Sequence, residues 1–183
     1  MQQTSKYSIG LRFGIMTGFT YMILLFIRYR YFGTSPVSFF WISLSGYAIV
    51  FLMYLFTGIA RKKQLGGYGE IREIFQSIFI AILIAELFYV VFNFIYLKWV
   101  DPGFWGNFRS DSLALYRRLG LPEEEIKERI RGIQSLEDNV KPSGLIKGFG
   151  AAVVMDSIIG FIFAVILRRK KPIPKTVQEE PKL

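Results

Sequence analysis

The sequence contains no cysteine and no histidine. Their absence excludes disulfides, thiol nucleophiles, zinc or haem held by cysteine or imidazole, and any serine–histidine triad. Nothing else marks a catalytic residue, a cofactor site or a metal site, so the chain is expected to be non-enzymatic. Charge is scarce in four long stretches. Phe39 to Ala60 carries none, and Ile74 to Leu97 carries only Glu86. Ile9 to Ile27 carries only Arg12, and Leu145 to Leu167 only Lys147 and Asp156. A water-soluble domain would intersperse its charges and would rarely reach 52% hydrophobic residues.

Each apolar stretch has about the 20 residues that a helix needs to cross roughly 30 Å of hydrocarbon. The expected fold is therefore all-α: a polytopic four-transmembrane-helix bundle with spans at about 9–27, 39–60, 74–97 and 145–167. The first apolar run exceeds a signal-peptide core and has no small-x-small cleavage site before Arg28, so it is expected to be retained. The single membrane domain covers 1–171. Beyond it, 172–183 has Pro172, Pro174 and Pro181 and no apolar period, and is expected to be a disordered cytoplasmic tail. The net charge of +9 would suggest nucleic acid in a soluble protein. In a membrane protein its position matters more, and the expected partner is the lipid bilayer rather than nucleic acid.

Two cationic clusters abut spans: Arg61, Lys62 and Lys63 after the second, and Arg168, Arg169, Lys170 and Lys171 after the fourth. The cations of the long loop 98–144 are instead balanced by eight acids between Asp101 and Asp138. This asymmetry places both termini in the cytoplasm and the loop outside, although Arg28 and Arg30 count against it. The clusters would also attract anionic lipid head groups, at about 1 kcal/mol per cation near the surface. Trp41, Trp99 and Trp105, with Tyr29, Tyr31 and Tyr96, fall at the outer boundary as an interfacial aromatic belt. Within the loop, Asp111 can cap a helix that Gly120 ends, and Pro122 with Glu123, Glu124 and Glu125 can start a second. The second carries Ile126, Ile130 and Ile133 on one face, which makes an amphipathic helical hairpin.

Three patterns inside the spans stand out. Gly10, Gly14 and Gly18 form a small-residue ridge suited to close helix packing. The fourth span has a four-residue step of small residues, Gly148, Ala152 and Gly160, with Asp156 among them. Glu86 sits near the middle of span three, with Asn93 seven residues later on the same face. Carboxyls at that depth normally face protein or water rather than lipid. Glu86 and Asp156 lie at similar depth; facing each other, they would share a proton or bind a cation. The alternative is a helix-locking role through bonds to Asn93, Tyr47, Tyr54, Thr17, Thr20 or Ser157.

The chain also carries Gly66-Gly67 after the cationic link, and Tyr96-Leu97-Lys98-Trp99-Val100-Asp101-Pro102 at the end of span three. The run Leu119-Gly120-Leu121-Pro122-Glu123-Glu124-Glu125-Ile126 and a basic close to span four follow. In these features it resembles a family of four-span bacterial inner-membrane proteins grouped as a domain of unknown function. The resemblance runs from about Ile9 to Lys171. It implies a four-helix bundle in the bacterial inner membrane and supplies no catalytic residues. The expected role is a non-enzymatic accessory or scaffold protein whose partners are itself or another membrane protein. One alternative is a small proton- or cation-coupled transport component using Glu86 and Asp156. Another is a membrane subunit that supports a lipid-handling enzyme.

Overall fold

The computed structural model describes residues 8–33, 35–138 and 141–169. The expected disordered tail, together with Lys170 and Lys171, lies outside the described residues. Among the described residues six α-helices run in order: α1 (Ser8–Phe32), α2 (Pro36–Gln64), α3 (Ile71–Ile95), α4 (Phe104–Arg118), α5 (Glu123–Asp138) and α6 (Pro142–Leu167). A π-helical turn over Tyr96–Val100 prolongs α3. α1, α2, α3 with its π turn, and α6 are long and apolar enough to cross a membrane. They extend beyond the apolar runs at several ends, because charged residues can continue a helix into the interface without leaving it. Many of their large apolar side chains are exposed, including Phe19, Leu52, Leu87 and Ile166. Exposure on this scale is normal for helices that meet lipid and abnormal for a soluble surface.

The turns follow local chemistry. Leu65 caps α2, with Gly66 and Gly67 donating back to the carbonyls of Lys63 and Lys62 at 3.1 and 3.0 Å. Both glycines have positive φ, which this reversal requires. α3 then starts in a reciprocal capping box: the Glu70 N–H donates to Glu73 Oε2 at 3.1 Å, and the Glu70 side chain accepts from the Glu73 N–H. At the other end Asp101-Pro102 stops the π turn, since proline disfavours helix at the residue before it. An isolated antiparallel bridge between Gly69 and Arg169 ties the α2–α3 turn to the end of α6.

α3 is the centre of the bundle and touches α1, α2 and α6. Its contact with α1 is made by the glycine ridge. A Cβ on Gly10 would meet the Ser77 carbonyl oxygen at 2.7 Å, one on Gly14 the Ile84 Cβ at 2.9 Å, and one on Gly18 the Phe88 ring at 2.6 Å. The ridge is thus occupied within the chain. At the opposite face Gly160 lies against Ile78, where a Cβ would come within 2.8 Å, and Gly58 lies equally close to Leu167.

The α4–α5 hairpin departs from expectation in one respect. α4 begins at Phe104, not at Asp111, which lies inside the helix. The cause is burial: Phe104, Trp105 and Phe108 dock on Tyr29, Phe39 and Gly33 at the end of the bundle. Tertiary packing outweighs the capping preference. Ile126 and Ile133 are buried along the hairpin, and Arg109–Glu137 and Arg117–Glu123 bridge its two helices. The same docking divides the expected aromatic belt. Trp41 and Trp99 are 62% and 63% exposed, as interfacial residues should be, whereas Trp105 is 9% exposed and Tyr29 and Tyr96 are buried core.

Candidate functional site

Between the hairpin and the middle of the bundle lies a cavity of about 670 Å³. Every membrane helix contributes to it. α1 supplies Arg28 and Tyr29, α2 supplies Phe39, Ser43 and Tyr47, and α3 supplies Glu86, Tyr89 and Asn93. α6 supplies Gly148, Ala152 and Asp156, while Trp105 and Leu136 of the hairpin cover the end. The α3 side chains share a face because 86, 89 and 93 follow the three- and four-residue steps of a helix.

Glu86 and Asp156 are both buried, and their carboxyls meet across α3 and α6 within hydrogen-bonding reach. The Tyr54 hydroxyl donates to Asp156 Oδ2 at 3.1 Å. Two carboxyls this close in a low-dielectric interior do not readily carry two negative charges; the chemistry open to them is to hold one proton between them or to bind a cation. Of the other partners expected for them, Thr17 and Thr20 donate to carbonyls of their own helix, Phe13 and Met16. Tyr47 lines the cavity wall, and Ser157 Oγ is buried with no partner among the described residues.

Asn93 belongs to a different cluster. It lies seven residues from Glu86, about 10 Å along the helix, and accepts a hydrogen bond from the Tyr29 hydroxyl while donating to the Tyr89 carbonyl at 2.8 Å. Tyr29 in turn accepts from Arg28 Nη2 at 2.8 Å, and Arg28 Nη1 donates to Ser43 Oγ at 3.3 Å. The Arg28 guanidinium also lies over the rings of Tyr29 and Phe39, 4.7 and 4.6 Å from their centroids. The cavity therefore has a cationic end beside the hairpin and a carboxyl floor deeper in. Tyrosines stand between them, with Tyr21 edge-on to Tyr47 and tilted against Tyr89.

Arg28 is the residue that reading for topology misses. The available signal was position: Gly14, Gly18, Tyr21 and Leu25 form the buried stripe of α1, and a three-residue step from Leu25 reaches Arg28. Gly148 corrects the packing expectation in the other direction. Among the described residues nothing lies within 4 Å of a Cβ placed on it, because the first half of α6 stands away from its neighbours. Ala152 is half-buried on the cavity wall, and Gly160 marks where close packing resumes.

At the opposite, basic end, Arg61 is buried rather than offered to head groups, with Nη1 donating to Gln64. It continues the buried stripe Val50, Tyr54, Thr57 and Gly58 of α2. Lys62 is half-buried and Lys63, Arg168 and Arg169 are exposed. Arg168 and Arg169 border an open groove of about 1100 Å³ with Arg72, Glu70 and Glu73, so its charge is of mixed sign. Arg169 lies over the Tyr68 ring, 5.4 Å from its centroid.

The cavity and its carboxyl pair fall within a stretch that matches a known family. The family described as "Protein of unknown function (DUF4199)" matches residues 12–169, most of the chain, and the chain belongs to it. No curated protein and no solved structure matches.

Proposed function

We propose that this member of the DUF4199 family is a non-enzymatic transport component of the membrane, with Glu86 and Asp156 as its proton- or cation-binding site. The observation that carries the reading is the placement of the carboxyl pair: it forms the floor of a cavity, at the point where α6 leaves the bundle. A purely helix-locking pair would sit among packed side chains. This pair has protein on one side and open volume on the other, which lets a proton or ion arrive and leave. The accessory or scaffold reading draws less support. The small residues that would seat another protein, Gly10, Gly14, Gly18 and Gly160, are already filled by α3.

The test is ion movement in liposomes holding the purified protein. A proton gradient, and separately a sodium or potassium gradient, is imposed across the bilayer. One of these gradients should collapse faster with the protein than in empty liposomes, and Glu86→Gln and Asp156→Asn should each abolish the difference. Collapse at the protein-free rate for all three gradients would overturn the reading.

A further inference from the structure

Arg28 is half-buried at the end of the bundle and, among the described residues, has only neutral partners: Ser43, the Tyr29 hydroxyl, and the faces of Tyr29 and Phe39. The carboxyls that could balance it form the far floor of the cavity, about two turns of α3 away. A cation even partly withdrawn from water and left without a counter-charge is costly, more so at membrane depth. Two further N–H groups point to what is missing. Arg28 Nε and Trp105 Nε1 are both buried and have no acceptor among the described residues, and both side chains line the cavity. Two orphaned donors and an unbalanced cation at one end of one cavity share a single complement: an acceptor group with negative charge.

Much of the rest of the wall is apolar. From Arg28 toward the floor, Phe39, Phe51, Val90, Phe149 and Ala152 line it alongside the rings of Tyr47 and Tyr89. The side between α2 and α6 is open, since the lining residues Phe40, Ala151 and Met155 are exposed. Both helices are membrane spans, so this opening faces the bilayer. Arg28 lies in the last turns of α1, near the interface where lipid head groups reside.

We infer that the cavity binds a membrane amphiphile, with an anionic carboxylate or phosphate head on Arg28 and an apolar chain along the wall toward Glu86. The ligand comes from the bilayer through the gap between α2 and α6. Charge supplies selection by head group and the apolar wall supplies affinity for the chain. The inference rests on the transport reading only in taking the cavity as the solute site; the proton site and the anion site are separate groups of atoms.

The experiment uses the full chain in neutral detergent with Trp41→Phe and Trp99→Phe, two exposed sites, so that Trp105 alone reports. Dodecyl phosphate and laurate are titrated beside dodecanol, dodecyltrimethylammonium and inorganic phosphate. Saturable change in Trp105 emission is expected with the two anionic amphiphiles. Arg28→Gln should weaken both by about tenfold or more, the loss of a charge-assisted bond, and Arg28→Lys should recover part of it. Gly148→Phe supplies an independent variant, because its added ring enters open space in the cavity and need not disturb the fold. It should also block binding. The inference is overturned if dodecyl phosphate binds Arg28→Gln and Gly148→Phe as it binds the parent. It is equally overturned if dodecanol or inorganic phosphate binds as tightly as dodecyl phosphate. Ion movement measured on the same preparations separates the two claims. Arg28-dependent binding without Glu86-dependent flux leaves the anion site standing and removes the transport reading; flux without such binding removes the anion site alone.

Discussion

The two halves of α6 use the same kind of residue to opposite effect. From Gly160 to Leu167 the helix lies hard against α2 and α3, with Ile78, Ile82 and Gly58 in contact distance of where side-chain atoms would be added. From Leu145 to Asp156 it stands off, and Gly148 and Ala152 face open volume instead of another helix. Small residues permit close approach but do not compel it. What compels it in the lower half is a complementary ridge of isoleucines on α3, while the upper half meets polar and aromatic side chains and the hairpin. The boundary between the two regimes falls at Asp156, where the buried carboxyl meets Glu86.

The contrast can be broken at several points. The largest effect should come from Phe104→Ala, which removes the ring that Tyr29, Phe39, Trp105 and Phe108 all touch. A loss of about 3–5 kcal/mol is expected. Hydrogen exchange should show it confined to the hairpin and the cavity end, with α3 near Ile78 still protected. Next is Gly160→Leu, where the added atoms collide with Ile78 and Ile82. Overpacking of this kind costs about 1–3 kcal/mol, visible as a lower midpoint in detergent unfolding. Tyr54→Phe should cost about 1 kcal/mol by removing a donor from buried Asp156. That loss should vanish in an Asp156→Ala background, which has no side-chain acceptor for the Tyr54 hydroxyl. The smallest effect belongs to Gly148→Leu, the same substitution as at Gly160 on the same helix. With open space around it, stability should be unchanged or raised slightly, since leucine exceeds glycine in helix propensity by less than about 1 kcal/mol. Equal losses at 148 and 160 would erase the distinction between the halves.

Much of this architecture is legible in the sequence. Four charge-poor runs give the four membrane-length helices, because hydrocarbon thickness sets their length and backbone satisfaction sets their form. The glycine ridge of α1 is also visible, although only the structure shows that α3 fills it. The depth of Glu86 and Asp156 brings them to one level, and the structure brings their carboxyls together. What was not legible depends on long-range packing. The start of α4 is decided by where Phe104 finds a pocket, information carried by Gly33, Tyr29 and Phe39 rather than by Asp111 and its neighbours. Arg28 looked like a topology signal because composition counts cations without saying which way they point. Arg61 was hidden for the same reason. A four-residue spacing could not show that Gly148 faces a cavity and Gly160 a helix, since local periodicity is identical at both.

The proposed function requires Glu86 and Asp156 to act as one site that holds a proton or cation between them. Infrared spectroscopy of the protein in lipid reads this directly, because a protonated carboxyl has a carbonyl stretch distinct from that of a carboxylate. With no metal cation added at neutral pH, the account predicts one protonated-carboxyl band that shifts in deuterated water and is lost or displaced in both Glu86→Gln and Asp156→Asn. A band indifferent to one of the two substitutions, or no protonated band in the cation-free protein, would contradict it.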